Sequence, residues 1–145
     1  MADRIELEVP ASNEYLAVVR DVLSAVTIAG SKLPDGRIDD LRLAVTEACA
    51  NAIDAEHRKP EDQRGPIHVH LELDPEWVVV EVHDEAGGFD PDAVPTQPEV
   101  TKPERLRFER GLGIPLMRAL TDDVDFRAEG GGTTVRLVID AVPRV

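Results

Sequence analysis

The chain has 145 residues, 42% of them hydrophobic and 31% charged, which fits one globular domain of ordinary composition with a single sizeable core. Its formal net charge of −13 repels phosphate backbones and anionic lipid, which argues against direct nucleic-acid or membrane binding and is compatible with a basic protein partner. One cysteine, Cys49, leaves no internal disulfide to form, the N-terminus is not a signal peptide and no apolar run reaches membrane-spanning length; a cytoplasmic setting is therefore expected.

Ile5, Leu7 and Val9 alternate with polar residues as in a half-buried first strand that Pro10 ends. Ser12 is placed to cap a helix with apolar positions Leu16, Val19, Val22, Leu23 and Val26. Residues 30–36 then read as a loop, and residues 38–56 as a second helix with Leu41, Val45, Ala48, Ala52 and Ile53 at helical spacing. Cys49 falls in that apolar pattern as a small buried hydrophobe. After a polar connection over 59–66, Ile67, Val69, Leu71 and Leu73 alternate, and Asp74-Pro75-Glu76 turns the chain into a partner strand over 77–83. His68 and His70 in the first of these strands read as an exposed sheet face rather than a zinc site. Residues 84–110 carry four prolines, many charges and no apolar period; so long an irregular stretch in a compact domain suggests a lid or binding loop. A short helix over 113–120, a strand over 124–128, a glycine turn and a last strand over 133–139 complete the chain. The order indicates an α+β fold in one domain spanning 1–145, a two-layer sandwich with helices on one face of a mostly antiparallel mixed sheet.

Four short stretches carry chemistry. Glu47 and Asn51 stand at i and i+4 on the second helix, so both project from one side. Glu47 can offer a carboxylate for proton transfer and Asn51 a carbonyl oxygen to a hard cation such as Mg²⁺, although the same spacing suits two residues on a solvated face. Asp84, at a strand end beside Gly87 and Gly88, can accept a hydrogen bond from an exocyclic amine while the glycines admit a flat ring; a plain turn is the alternative. Arg110-Gly111-Leu112-Gly113 precedes a helix, and free amides at such an N-terminus suit phosphates. Gly131-Gly132-Thr133-Thr134 opens the last strand, where a hydroxyl can reach a base edge or the glycines can simply make a hairpin turn.

Each stretch is weak alone, but in this order they resemble the four boxes of the Bergerat-fold ATPases, the superfamily of gyrase, histidine kinases and MutL. Within it, Glu-Ala-x-x-Asn-Ala-Ile, Asp-Glu-x-x-Gly-Phe-Asp-Pro and Arg-Gly-Leu-Gly-Ile-x-Leu-Met-Arg-Ala-Leu, together with the Thr101-Lys102-Pro103-Glu104 stretch, look like the anti-sigma-factor serine/threonine kinases. The resemblance covers nearly the whole chain. It implies ATP and Mg²⁺ as cofactors, with Glu47 as general base toward a substrate serine and Asn51 as the Mg²⁺ ligand. It further implies Asp84 on the adenine amino group, Thr133 or Thr134 supporting the base, and Gly88, Gly111 and Gly113 shaping turns around base and phosphates. Lys102 and Arg110 would be lid residues that reach the phosphates.

The implied function is a kinase that sequesters a sigma factor and phosphorylates an anti-anti-sigma factor. This family commonly dimerises, which makes a homodimer a further expectation. The alternatives are a non-catalytic nucleotide-binding anti-sigma or switch protein and, behind it, an isolated histidine-kinase ATPase domain. Ala86 departs from the family, which has glycine there; a need for φ > 0 at this position would cost on the order of 1 kcal/mol.

Overall fold

In the computed structural model, residues 2–86 and 113–142 are described. The elements run β1 (Asp3–Val9), a 3₁₀ turn (Asn13–Tyr15), α1 (Leu16–Gly30), α2 (Asp35–His57), a second 3₁₀ turn (Glu61–Gln63), β2 (Ile67–Asp74), β3 (Trp77–Asp84), α3 (Gly113–Leu120), β4 (Asp123–Glu129) and β5 (Gly132–Asp140). The strands form one sheet in the order β1-β2-β3-β5-β4. All four pairings among the described residues are antiparallel, in keeping with the mostly antiparallel sheet expected from the sequence. The expected α+β two-layer arrangement holds. No helix among the described residues is long and apolar enough to cross a membrane.

Period-two alternation decides which face of the sheet is covered. Ile67, Val69, Leu71 and Leu73 of β2, Val78, Val80 and Val82 of β3, and Val135, Leu137 and Ile139 of β5 turn to the helices and are buried. Against them lie Val19 and Leu23 of α1, Leu41, Val45, Ala48, Cys49, Ala52 and Ile53 of α2, and Ile114 and Met117 of α3. Burial pushes the Cys49 thiol up to about 12, which keeps it a neutral, inert hydrophobe. The opposite face is polar. His68 and His70 stand on it beside Glu8 and Glu6 across the β1–β2 ladder, at 3.4 and 3.3 Å, and no metal-binding cluster occurs among the described residues.

Local chemistry explains where the elements start and stop. Ser12 does not cap α1: its carbonyl closes the 3₁₀ turn by accepting Tyr15 N–H (3.0 Å), while its hydroxyl donates to the Glu14 carboxylate. Gly30, expected in a loop, is the last residue of α1, where a Cβ would lie 3.1 Å from that of Leu73; glycine lets the helix end approach β2. The Asp74 carboxylate accepts Glu76 N–H (2.9 Å) and so shapes the β2–β3 turn. Gly130 and Gly131, with φ of 57° and 83°, supply the two positive values that a two-residue primed hairpin between β4 and β5 requires. At the far end of the sheet, Arg37 of α2 pairs with the largely buried Asp122 carboxylate and donates from Nε to the Asp140 carbonyl (3.2 Å).

Candidate nucleotide site

The site lies where α2 crosses the ends of β3 and β5. Asp84 closes β3, and Thr133 is its register partner on β5. Between these strands and α2 runs a narrow slot lined by Ala48, Asn51, Ala52, Ala55, Val82, Asp84, Phe126, Thr133 and Val135. Three alanines on one side of α2 keep the helix surface low there, which leaves the slot open. It measures about 20 Å³, less than a purine needs. A larger hollow, the 240 Å³ depression around Arg4, Glu6, His70, Glu81 and Arg136 on the open sheet face, is lined by ion-paired charges.

Two polar groups mark the slot. Thr133 is 4% exposed and its buried hydroxyl has no hydrogen-bond partner among the described residues, which leaves it available to a ligand in the slot. Asp84 is buried as well, and its Oδ1 accepts Ala86 N–H (2.9 Å). Burial, reinforced by the negative Glu56 nearby, raises its carboxyl above the ordinary range; the Ala86 amide, His83 and Arg58 oppose this without cancelling it. A desolvated carboxylate that costs energy to ionise gains most from a donor such as an exocyclic amine. Thr134 points the other way, toward the open face, where its hydroxyl meets His83 Nδ1 (2.8 Å). Of the two threonines expected to support a base, Thr133 therefore lines the slot and Thr134 does not.

Ala86 has no positive φ, since no non-glycine residue among those described does. Its methyl thus carries no left-handed penalty, and the departure from glycine is compatible with the turn. Gly132, read in the sequence as part of a glycine turn, has a further role: a Cβ there would sit 2.2 Å from the Asp84 carbonyl oxygen, so glycine permits the backbone contact that seats Asp84. Phe126 was also missed, because on β4 it reads simply as one more apolar residue of an alternating strand.

Along α2 the functional candidates fall in line. Asn51 borders the slot and Glu47 is half-buried one turn earlier. Glu56, near the other end of the helix, contacts the residue after Asp84. With a rise of roughly 1.5 Å per residue, Asn51 lies about 7.5 Å along the axis from Glu56, and Glu47 about 6 Å further. An extended ligand anchored at Asp84 would pass Asn51 and then Glu47. This donor set suits a nucleoside triphosphate with a hard cation: a carboxylate and an unpaired hydroxyl for the base, an amide oxygen for the metal and a carboxylate beyond it. Gly113 opens α3. Gly88, Lys102, Arg110 and Gly111, with the expected lid from residue 87 on, lie outside the described residues.

Comparison with known proteins identifies the family. Residues 9–139 match the histidine kinase-like ATPase domain family. The chain is 36% identical over 137 residues to the serine-protein kinase RsbW of Bacillus subtilis, an alignment covering 91% of this chain and 82% of that protein. It is 33% identical over 135 residues to RsbW of Staphylococcus aureus, covering 90% and 83%. Among solved structures, the RsbU and RsbW domains of Rv1364c from Mycobacterium tuberculosis superpose with a TM-score of 0.65 at 21% identity, covering 94% of this chain and 31% of that one. The SiaB–SiaC complex from Pseudomonas aeruginosa gives 0.64 at 15% identity, covering 93% and 88%. Through the length of these matches and the ordered residues of its slot, the chain belongs to the histidine kinase-like ATPase domain family, among relatives of the RsbW serine-protein kinases.

Proposed function

We propose that this protein is an ATP-dependent serine/threonine protein kinase that also acts as an anti-sigma factor, holding a sigma factor and phosphorylating an anti-anti-sigma protein. The observation that carries the reading is the alignment of Asp84, the unpaired Thr133 hydroxyl, Asn51 and Glu47 along one slot and one helix. Asp84 accepts the adenine amino group and Thr133 bonds the base edge. Asn51 offers its side-chain oxygen to Mg²⁺, and Gly113, at the start of α3, sits where helix N-terminal amides face phosphate.

Bound MgATP supplies the γ-phosphoryl group, and the metal neutralises charge as that group moves. Glu47 takes the proton of the acceptor hydroxyl as its oxygen bonds to the γ-phosphorus and the bond to the β–γ bridging oxygen breaks, releasing ADP; the base contributes about 10²–10⁴-fold. Asp84 and Thr133 hold the nucleotide in register with that carboxylate. A non-catalytic binding module is the second reading; Glu47 speaks against it, because nucleotide binding alone does not need an acid at that position.

Calorimetry with ATP and Mg²⁺ tests the binding half. Asp84→Asn and Thr133→Val should each weaken ATP by about tenfold or more, from the loss of a hydrogen bond worth roughly 1–3 kcal/mol. Wild-type protein that binds no ATP under these conditions would refute the reading.

A further inference from the structure

Glu56 is fully buried, and nothing in the proposed chemistry uses it. It interrupts the apolar stripe of α2, following Ala52 by four positions and Ile53 by three. A charge in such a place is expensive unless it is paired and hydrogen-bonded, and Glu56 is both. Its Oε1 accepts Gly65 N–H (2.8 Å) and the Lys59 ammonium (2.8 Å), while its Oε2 accepts Glu85 N–H (2.9 Å). One carboxylate thus ties three segments: the end of α2, the connection into β2 and the backbone leaving β3. The peptide it grips follows Asp84 directly, and the next amide, that of Ala86, bonds the Asp84 side chain.

We propose that Glu56 is the positioning residue of the base site: its buried carboxylate, clamped on the Glu85 amide, fixes the Asp84 peptide and side chain relative to α2 and thereby sets adenine recognition. This rests on the reading that Asp84 accepts the adenine amino group. A neutral side chain of the same shape cannot replace Glu56. Glutamine offers a single acceptor oxygen, so one of the two backbone amides would face an NH₂ group instead.

The link is electrostatic as well as geometric. Among the described residues, the charged groups around Asp84 are Glu56 and Arg58 from the α2 side and His83 on its own strand, and its β5 partner Thr133 is uncharged. Lys59 offsets Glu56. Burial opposes ionisation of Glu56, but the Lys59 ammonium and the Gly65 and Glu85 amides outweigh it and leave its carboxyl below the ordinary value. The negative Glu56, itself paired with Lys59, therefore opposes ionisation of Asp84.

The test measures nucleotide affinity by calorimetry across the acidic range for wild type, Glu56→Gln, Lys59→Met and Asp84→Asn, using ATP and a purine riboside triphosphate that lacks the 6-amino group. Glu56→Gln should weaken ATP by about tenfold, the loss of one hydrogen bond to a charged group, yet change the amino-less analogue little. The pH at which ATP affinity falls should move down in Glu56→Gln, where a negative neighbour is gone, and up in Lys59→Met, where it is no longer offset. An equal loss for both nucleotides, or unchanged ATP affinity in Glu56→Gln, overturns the proposal while the Asp84 site stands. If Asp84→Asn has no effect on ATP in protein that binds it, the underlying reading fails instead. Should Glu56→Gln not fold by circular dichroism, Lys59→Met decides alone, and an unmoved pH profile there overturns the proposal.

Discussion

Asp84 carries opposing demands of stability and binding. Its folded-state carboxyl sits above the ordinary value because burial disfavours the charge, so its contribution to folding is present at low pH and lost as pH rises through that raised value. Glu56 behaves oppositely: held below its ordinary value, it stabilises the fold above the unfolded carboxylate range and loses that contribution as pH falls through its lowered value. Asp84→Asn should thus raise the melting temperature of the nucleotide-free protein at neutral pH while lowering ATP affinity by about tenfold or more. Thermal unfolding checks the first effect and calorimetry the second. A variant that loses both stability and affinity would show that the Asp84 charge is structural.

Among the elements, β5 and α2 set the geometry of the site. The β4–β5 hairpin ends in glycines for two different reasons: Gly130 and Gly131 need positive φ, and Gly132 needs the absence of a side chain against Asp84. Gly132→Ala should displace the Asp84 backbone, destabilise the protein by about 1–3 kcal/mol and reduce ATP affinity. Denaturant titration reports the first loss and calorimetry the second. For α2, Arg37 anchors the N-terminal end through Asp122, with side chains only 15% and 8% exposed. Arg37→Ala leaves that carboxylate without its guanidinium and should cost about 3 kcal/mol, read from the urea midpoint. Since Arg37 lies far along α2 from Asn51, ATP affinity of the folded variant should stay near wild type.

For the molecule as a whole, the parts legible in the sequence were those governed by one local period. Alternation in residues 67–73 placed the buried face of β2, and the apolar spacing of α2 placed Cys49 inside. The Asp84, Asn51 and Thr133 positions were found because short motifs kept their order, and the fold brings these three to one slot. What escaped was long-range. The register that sets Thr133 rather than Thr134 in the slot is a two-strand property, and the contact of Gly132 with Asp84 joins residues almost fifty apart. Glu56 left a visible trace as a charge on an apolar stripe, but its partners at Gly65 and Glu85 exist only once α2 crosses the sheet. The role assigned to Glu47 depends on the transferred group and the acceptor together, so transfer itself is the direct test. With γ-labelled ATP, Mg²⁺ and anti-anti-sigma proteins of the same genome, wild type should label one acceptor on serine or threonine. Glu47→Ala should keep ATP binding while transfer falls by about 10²-fold or more. Equal labelling by Glu47→Ala and wild type would contradict the account.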